Sequence, residues 1–318
     1  MTSPRPIIID CDPGVDDALA IALALGAPTG SLRLLGITTV AGNVAVESTT
    51  RNAGLLLSLM GRHDIPLHAG CARPLMRPVG VRSTVHGEHG LGSAMLAEDP
   101  VRPRSAHAVD FLIETIREHP GEIILCPIGP MTNVAMALVK APDIASMLAG
   151  IAFMGGAAFV PGNITPAAEF NMLVDPHAAH IVLTSGVPLT MISLDVTRGI
   201  TVSHERIETV WPARSAVGRT LGGMVADYSA GDPALHDPCV IAWLLRPDLF
   251  EGVDAHVEID VTEGVNLGRT VAAVTPRHLA GRLPNCRVIT SARRGAVVEL
   301  IEDALGRLGT AAFSENAR

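Results

Sequence analysis

The sequence predicts an α/β fold of three layers, in which a mostly parallel central sheet is covered by helices on both faces. Apolar runs with the composition of strands alternate with segments rich in strong helix formers, which is typical of such a sheet. Polar residues directly follow several of these runs, where the strands of a parallel sheet end at a common edge. No linker or run of charge divides the 318 residues, so we expect a single domain over residues 1–318.

The N-terminal segment predicts a buried strand that is followed at once by a helix. Residues 7–9 are three isoleucines, as in a strand covered on both faces, and Pro13 and Gly14 end it. Residues 18–25 are rich in helix formers, and Gly26 supplies a stop signal. This unit carries four acids at the end of the strand and in the first turn of the helix: Asp10, Asp12, Asp16 and Asp17.

We expect these four carboxylates to converge. Like charges at close range raise one another's pKa unless a positive charge neutralises them. The partial charge of a helix N-terminus does not balance four acids, and ligation by oxygen alone favours Ca²⁺ or Mg²⁺. The cluster therefore predicts a metal site. The alternative is that Asp16 and Asp17 are ordinary acids of a first helical turn.

Composition excludes several classes of protein. The formal charge of −8, with one lysine and scattered arginines, argues against a nucleic-acid surface. Five cysteines without a Cys-x-x-Cys pair indicate neither a disulfide framework nor a zinc site, and a reducing cytoplasm fits them best. No apolar run approaches the ~20 residues of a membrane span, and no signal region precedes the first strand. We expect a soluble cytoplasmic protein with no membrane partner.

The rest of the chain continues the alternation of strands and helices. Further strands are predicted over residues 33–40, 121–127, 151–154, 188–194, 255–261 and 270–274. Helices are predicted over residues 47–60, up to residue 140, from residue 175, over residues 234–245 and over residues 295–308. Residues 71–93 form a long loop that we interpret as a lid, with a solvated loop as the alternative, and residues 204–235 form a flexible helical segment.

Polar groups after the later strands are further candidates for the site. Asn43 follows the second strand as Asp12 follows the first, although asparagine is also an ordinary helix cap. The carbonyl of Ile128, at another strand end, suits a hard cation as a neutral ligand. One loop offers the donors and acceptors that polyhydroxyl ligands such as sugars need: Asn163, Glu169 and Asn171.

Histidines stand beside two of these segments. Asp237 begins a late helix, where it is placed to complete the acidic cluster. His236 precedes it and is a natural proton donor, because the ordinary pKa of histidine lies near neutrality. In the lid, glycines flank His86 and His89, and a mobile loop of this kind can bring an imidazole over a ligand.

With these motifs in order, the chain resembles the inosine/uridine-type nucleoside hydrolases, Ca²⁺-dependent enzymes that cleave ribonucleosides to ribose and free base. The resemblance covers nearly the whole chain and implies their Rossmann-like fold. It rests on seven stretches in family order: Asp10-Cys11-Asp12-Pro13-Gly14-Val15-Asp16-Asp17, Thr38-Thr39-Val40-Ala41-Gly42-Asn43, His86-Gly87-Glu88, Ile128-Gly129-Pro130-Met131-Thr132-Asn133, Met154-Gly155-Gly156, Glu169-Phe170-Asn171 and His236-Asp237-Pro238.

The resemblance implies a role for each candidate residue. The ligands of Ca²⁺ are Asp12, Asp17, Asp237 and the carbonyl of Ile128, with Asp10 as a supporting acid. Asp12 is also the general base on the attacking water, which shares the ion with the ribose hydroxyls. The substrate-binding residues are Asp16, Asn43 and Asn171 for the diol, Asn163, Glu169 and Met154 for the 5′-hydroxyl, and Phe170 beside them. His86 and His236 match positions near the departing base, where Tyr228 is a further contact.

The chemistry explains why such residues are needed. Breaking the C1′–N bond develops oxocarbenium character, which a carboxylate-rich site stabilises. Metal coordination lowers the pKa of the attacking water and fixes it beside C1′. His236 occupies a position where purine-specific relatives use tryptophan, so we expect pyrimidine nucleosides or inosine as substrates. The family also implies a homodimer or homotetramer.

Two rival functions use parts of the same pattern. Haloacid-dehalogenase-like phosphatases also begin with strand-Asp-x-Asp and use Mg²⁺. They expect threonine or valine after the second acid and a later active-site lysine, whereas Pro13 follows here and Lys140 lies at a predicted helix end. A non-catalytic nucleoside or ribose binder is the second rival, because the asparagines and Glu169 alone would recognise ribose.

Overall fold

The sheet explains why distant acids can meet in this chain. A computed structural model describes residues 3–78, 86–87, 89–92, 96 and 99–314, with side chains up to residue 309. The strands are β1 (Arg5–Cys11), β2 (Leu32–Thr39), β3 (Leu67–Ala69), β4 (Ile124–Pro127), β5 (Gly150–Met154), β6 (Leu189–Ile192), β7 (Phe250–Ile259), β8 (Thr270–Ala273) and β9 (Cys286–Ala292).

Helices follow most of the strands. The α-helices are α1 (Val15–Leu25), α2 (Val46–Leu59), α3 (Ala108–Glu118), α4 (Thr132–Lys140), α5 (Phe170–Val174), α6 (Pro176–Leu183), α7 (Leu194–Thr197), α8 (Trp211–Arg214), α9 (Ala216–Tyr228), α10 (Pro238–Leu245), α11 (Pro276–Leu279) and α12 (Arg294–Ser314). Short 3₁₀ turns cover Pro142–Met147 and Pro247–Leu249, and a π-helical turn covers Arg206–Val210. Among the described helices, none is long and apolar enough to cross a membrane.

The strand order is β3-β2-β1-β4-β5-β6-β9-β7-β8. All pairs from β3 to β9 are parallel, and β7 and β8 add an antiparallel edge. From β1 the chain moves outward to β2 and β3, and it then returns to build β4, β5 and β6 on the other side. The connections after β1 and β4 therefore diverge and leave a crevice at the carboxyl edge, which is where open α/β sheets bind ligands.

Two apolar layers enclose the sheet, and β1 shows how its residues divide between them. Ile7 and Ile9 pack in the layer that contains α1, α10 and α12, whereas Ile8 packs with α3, α4 and α6 on the opposite face. Successive strand residues point to opposite faces, so a strand with three fully buried isoleucines requires helices on both sides. The mostly parallel, three-layer α/β fold predicted from the sequence is confirmed.

Several element boundaries differ from the predictions. The strand predicted over residues 188–194 ends at Ile192, because Ser193 turns the chain into α7 and donates to Asp195 Oδ2. The strand predicted from residue 255 begins at Phe250, where its first half pairs with β9. The helix predicted from residue 234 begins at Pro238, because Ala234 forms an isolated bridge with Thr201.

Six strands and α-helices were not predicted: β3, α3, α5, α7, α11 and β9. The signal for α3 was present, because Val109, Leu112, Ile113 and Ile116 follow helical spacing and are buried. The sequence of β9 is mixed, with exposed Arg287 and Ser291 among its apolar residues. Its place between β6 and β7 depends on pairing with distant strands, which local composition does not encode.

Candidate active site

A cavity of about 370 Å³ opens at the carboxyl edge of the sheet, beside the ends of β1, β2, β4 and β5. The described residues that line it are Asp12, Asp16, Asn43, His86, Ile128, Met154, Asn163, Ile164, Glu169, Phe170, Asn171, Tyr228, Gly231, Asp232, His236 and Asp237. Five of these residues are acids, and none is lysine or arginine. Thirteen residues that the sequence singled out therefore face one cavity.

A group of three buried carboxylates lies at one end of the cavity: Asp16, Asp17 and Asp237. Each offers an oxygen within 4.8 Å of the other two. Asp17 is held by the backbone N–H groups of Asp12 and Gly14, which donate to its two oxygens over 3.3 and 2.8 Å. Asp237 precedes α10, and α10 packs against α1, so helix packing brings residue 237 to residue 17.

Asp12 stands next to this group and is fixed from the neighbouring strand end. Its Oδ2 accepts from the backbone N–H of Asn43 at 2.7 Å, and the Asn43 side chain donates to the Asp12 carbonyl at 3.1 Å. A Cβ added at Gly129 would lie 2.4 Å from Asp12 Oδ1. The sequence assigned Asp12 to the ion and Asp16 to ribose, whereas in this structure Asp16 belongs to the closest group of three.

Burial and mutual repulsion control the protonation of the acids. Burial raises the pKa of Asp17 to about 7, and the charge of Asp16 adds to the shift. The pKa values of Asp12 and Asp237 also lie well above the usual value, first because both are buried and then because neighbouring aspartates repel the added charge. Such a site is costly to ionise without a cation.

The donor set fits a hard divalent cation. Ile128, which is buried directly after β4, lines the cavity together with Asp12, Asp16 and Asp237. Its carbonyl oxygen accepts from Asn171 Nδ2 at 2.9 Å. None of the described lining residues carries a thiol, and the buried Cys11 donates its S–H to the Thr38 carbonyl. Carboxylate and carbonyl oxygens are the ligands that Ca²⁺ and Mg²⁺ prefer.

Asp10 lies beneath the cavity and is completely buried. Its Oδ1 accepts from Thr38 Oγ1 at 2.5 Å and from Asn133 Nδ2 at 2.7 Å, whereas its Oδ2 has no hydrogen-bond partner among the described residues. Burial raises the pKa of Asp10 to about 7, although both hydrogen bonds oppose the shift. Asn133 also donates to the Thr39 carbonyl, so Asp10 belongs to a network that joins β1, β2 and α4.

Another part of the cavity wall is built by the loop that leads into α5. Glu169 caps this helix and accepts from the backbone N–H groups of Gly156, Asn171 and Met172. Burial raises its pKa, and these three hydrogen bonds oppose the shift. Asn163 Oδ1 accepts from the N–H of Phe170 at 3.0 Å, which holds the exposed Asn163 beside Glu169.

The loop itself is anchored from below by α7. Asp195 accepts from the backbone N–H groups of Ala158 and Phe159 at 2.8 and 2.9 Å. Arg198 donates to the carbonyl of Gly162 at 2.7 Å. Neither Asp195 nor Arg198 lines the cavity, but their contacts fix the wall that carries Asn163.

Two imidazoles mark the third part of the cavity. His86 Nδ1 accepts from the backbone N–H of Val15 at 3.1 Å, and its ring stacks on Tyr228 with centroids 5.1 Å apart. His236 lies between Thr197 and Asp232. Burial lowers the pKa of His86. Burial also opposes protonation of His236, but the hydrogen bond with Asp232 and nearby acids outweigh it, and its pKa is raised.

Sequence reasoning missed four residues of this region: Thr197, Gly231, Asp232 and Ile164. Gly231 and Asp232 precede a proline and resemble an ordinary turn. Their only signal was the spacing of four residues between Asp232 and His236. Within the predicted lid, residues 79–85, 88 and 93 lie outside the described residues. His89 is exposed, and its carbonyl accepts from Asn52 Nδ2.

The fold and the cavity define an α/β protein with a buried acidic site at the switch point of its sheet. The chain belongs to the inosine-uridine preferring nucleoside hydrolase family, whose sequence model matches residues 7–299. It is accordingly a hydrolase of the N-glycosidic bond of ribonucleosides.

Similar proteins cover the same length. The pyrimidine-specific ribonucleoside hydrolase RihA of Shewanella sp. (strain MR-7) is 42% identical over 311 residues, which is 95% of this chain and 96% of that protein. The purine-preferring ribonucleoside hydrolase from Gardnerella vaginalis has a TM-score of 0.89 at 30% identity, over 96% of this chain and 100% of the other. A plant nucleoside hydrolase has a TM-score of 0.88 at 32% identity, over 95% and 99%.

Proposed function

We propose that this chain hydrolyses pyrimidine ribonucleosides, with inosine as a further substrate, and that Ca²⁺ is its cofactor. The observation that carries the proposal is that three kinds of group line one cavity. They are the acids Asp12, Asp16 and Asp237, the pair Glu169 and Asn163, and the imidazoles of His86 and His236. A ribonucleoside presents a diol, a 5′-hydroxyl and a base. Each of these three parts needs a different kind of group in the cavity wall.

The acidic part is assigned to the cation. Asp12, Asp17, Asp237 and the carbonyl of Ile128 are the proposed ligands, and Asp10 supports them through Asn133. When bound, Ca²⁺ supplies Lewis-acid activation of the attacking water and a positive charge that allows the buried acids to ionise. Asp16 lies close to Asp17 and Asp237, which supports a role for its carboxylate beside both the cation and the ribose diol.

The protein groups on either side of C1′ move the protons. The C1′–N bond breaks with its electron pair on the base, His236 donates a proton to that base, and the water oxygen bonds to C1′. Asp12 takes a proton from that water, and its orientation is set by the N–H of Asn43. The five acids of the lining, with no lysine or arginine among the described lining residues, stabilise the positive charge on the ribose.

The ribose and its 5′-hydroxyl are assigned to the polar groups around α5. Asn43 and Asn171, with Asp16, are the proposed contacts of the diol. Asn163, Glu169, Met154 and Phe170 surround the 5′-hydroxyl in this assignment. Glu169 is buried and is already bonded to three N–H groups, so a free lone pair on its oxygens can accept from an incoming hydroxyl.

The base is assigned to the part lined by His86, Tyr228 and His236. Neither tryptophan is among the described lining residues, because Trp211 is buried against Glu302 and Trp243 packs against the core below. A small base is therefore held by imidazole and phenol rings instead of an indole. The higher identity to the pyrimidine-specific relative, 42% compared with 30% for the purine-preferring one, supports the same preference.

The phosphatase alternative finds no support in the lining. Phosphate recognition by that family requires a positive side chain beside the metal ion, whereas the described lining residues include no lysine or arginine. Lys140, the only lysine of the chain, pairs with Asp110 at the end of α4. The other alternative, a non-catalytic nucleoside or ribose binder, predicts the same binding residues. Only a measurement of turnover distinguishes it from the enzyme.

Release of reducing sugar from a panel of nucleosides, with and without a chelator, tests the proposal. We expect turnover of uridine, cytidine and inosine that chelation abolishes and added Ca²⁺ restores. Asp12→Ala is expected to lower kcat by at least ~10²-fold, because it removes the general base. As a matched control, Asp143→Ala removes an exposed acid of the surface pair with Arg117 and is expected to leave kcat unchanged. Full activity of Asp12→Ala would contradict the mechanism.

We also propose that the enzyme acts in cytoplasmic nucleoside salvage as a homodimer or homotetramer. All five cysteines are free thiols, which suits a reducing compartment. Several large apolar side chains are strongly exposed in the single chain, among them Val265 at 89%, Leu283 at 82% and Met76 at 74%. Such side chains are candidates for a subunit interface where they adjoin one another on the surface. The molar mass of the purified protein, measured by light scattering, distinguishes the homodimer from the homotetramer.

A further inference from the structure

His236 is held by side chains on both sides of its ring. Nδ1 lies 2.7 Å from Thr197 Oγ1, and Nε2 lies 3.1 Å from Asp232 Oδ2. The imidazole is almost fully buried, and so is Thr197. Asp232 is 27% exposed at the side chain and lines the cavity. The ring of His236 is therefore held by Thr197 from the core of the protein and by Asp232 from the partly exposed edge of the cavity.

The donors and acceptors of this chain assign the proton positions. A carboxylate only accepts, so Nε2 donates its hydrogen to Asp232. Burial raises the pKa of Asp232, but the hydrogen bond from His236 outweighs it and keeps the pKa below its usual value, so the carboxylate is charged. Among the described residues, the Thr197 hydroxyl has no partner besides Nδ1. In the neutral ring the hydroxyl therefore donates to Nδ1, and the ring carries its one hydrogen on Nε2.

Asp232 is itself fixed by the turn that precedes α10. Its Oδ1 accepts from the backbone N–H of Ala234 at 3.0 Å, which leaves Oδ2 for the imidazole. Ala234 forms a bridge with Thr201, and Leu235 N–H donates to the Ile200 carbonyl at 2.8 Å. The turn is thus tied to the segment that follows α7, and α7 also carries Thr197.

His86 shows the same arrangement from another element. The N–H of Val15 donates to its Nδ1, so its hydrogen also lies on Nε2. That nitrogen is 3.9 Å from Asp16 Oδ1. In their neutral forms both imidazoles therefore carry a hydrogen on Nε2, which lies near a carboxylate of the cavity lining, and both are anchored through Nδ1.

We propose that Asp232 and Thr197 are positioning residues that fix the His236 ring with its hydrogen on Nε2, on the side of the departing base. The proposal rests on the proposed role of His236 in donating to that base. Neither residue touches the reacting bond. Removing either one leaves the ring free to rotate or to place its hydrogen on Nδ1, as when an aspartate that orients a catalytic histidine is replaced.

Two substrates with different leaving groups can distinguish a role in positioning His236 from a purely structural role of Asp232 and Thr197. Uracil leaves poorly without a hydrogen-bond donor, whereas p-nitrophenolate is stable as an anion. We expect Asp232→Asn and Thr197→Val to lower kcat for uridine by at least ~10-fold, because donation to the leaving group contributes on the order of 10²-fold or more. For p-nitrophenyl β-D-ribofuranoside, kcat/KM is expected to stay within about twofold of wild type.

Three further variants complete the test. Thr197→Ser keeps the hydroxyl and is expected to restore uridine turnover. The single variant His236→Ala and the double variant His236→Ala/Asp232→Asn are expected to have equal kcat values for uridine. The reason is that Asp232 acts through His236. Equal losses on both substrates, or additive losses in the double variant, would overturn the proposal. Absence of wild-type turnover of uridine would instead refute the proposed function, and retained cleavage of the nitrophenyl riboside shows that each variant is folded.

Discussion

Glu169 shows how a single residue can select a class of substrate. It is buried at the end of the cavity assigned to the 5′-hydroxyl, and three backbone N–H groups hold both of its oxygens in place. Burial raises its pKa, but the three hydrogen bonds favour the charged form. A hydroxyl can donate to this carboxyl, whereas a 5′-phosphate would bring negative charge against it in a region of low dielectric constant.

We predict that the enzyme discriminates against nucleotides through Glu169. In the wild type, kcat/KM for uridine is expected to exceed that for uridine 5′-monophosphate by at least ~10²-fold, which corresponds to about 2.8 kcal/mol of repulsion. Glu169→Gln removes the charge and keeps one oxygen acceptor, so the ratio is expected to narrow while KM for uridine rises. Reducing-sugar assays with uridine and with uridine 5′-monophosphate measure this ratio of kcat/KM values in the wild type and in the variant. An unchanged ratio in Glu169→Gln would show that Glu169 does not exclude phosphate.

The sequence could identify Glu169 but not Asp232. Glu169 lies in a stretch with two asparagines, and a cluster of such groups after a strand indicates a polar site whatever the details of the loop. Asp232 and Thr197 are 35 residues apart in number, and each is an ordinary residue for its local position. Their joint role depends on His236 entering between two elements, which requires knowledge of how α7 and the turn before α10 pack.

At the scale of elements, the turns after the strands matter because they leave room for the acids. Gly42 follows β2 and Gly129 follows β4, and Asp12 lies between them. A Cβ at Gly42 would meet Asp12 Oδ2 at 2.1 Å, and one at Gly129 would meet Oδ1 at 2.4 Å. Both distances are far below ordinary contact. The two neighbouring strands therefore form a slot that fixes the Asp12 carboxylate from both sides.

We predict that Gly129→Ala inactivates the enzyme without unfolding it. The methyl group displaces the Asp12 carboxylate, so kcat for uridine is expected to fall by at least ~10²-fold, as for loss of a general base. Gly223→Ala is the matched control, because its Cβ would lie in open space on the exposed face of α9. Alanine is the better helix former by up to ~1 kcal/mol, so that variant is expected to keep full activity. Equal activity of Gly129→Ala and Gly223→Ala would contradict the proposal that Gly129 leaves necessary room for the Asp12 carboxylate.

The order of the central strands could be anticipated in outline, whereas the far edge of the sheet could not. Alternating strands and helices in the N-terminal half favour one parallel arrangement, and right-handed connections leave few ways to place it. The antiparallel strands β7 and β8 and the insertion of β9 beside β6 depend on pairing across nearly the whole chain. Local composition carries little information about such partners.

For the whole molecule, the acidic site couples protonation and ion binding to stability. The pKa of Asp17 is raised to about 7, and the pKa values of Asp12 and Asp237 are also raised above the usual value. A carboxyl with a higher pKa in the folded chain than in the unfolded chain stabilises the fold while it is protonated. That stability is lost as the pH rises through the folded-state pKa.

We predict that Ca²⁺ raises the melting temperature more at pH 8 than at pH 5.5. At the higher pH the ion-free site is charged and unstable, and the cation neutralises it, whereas at the lower pH protons compete with the cation. The difference is expected to be several degrees, on a scale of about 2–4 °C per kcal/mol. Calorimetry of the chelated and Ca²⁺-loaded protein at both pH values measures it, with Asp237→Asn as the variant in which the difference shrinks. A larger shift at pH 5.5 would contradict the assignment.

The meeting of Asp17 and Asp237 has a consequence for biosynthesis. The two residues are 220 positions apart, so a ribosome has made three quarters of the polypeptide before the second partner leaves the exit tunnel. Until then the early aspartates lack part of the proposed ligand set, so the proposed Ca²⁺ site is incomplete in a half-made chain. On this assignment, the cation binds late in maturation, after α10 has packed against α1.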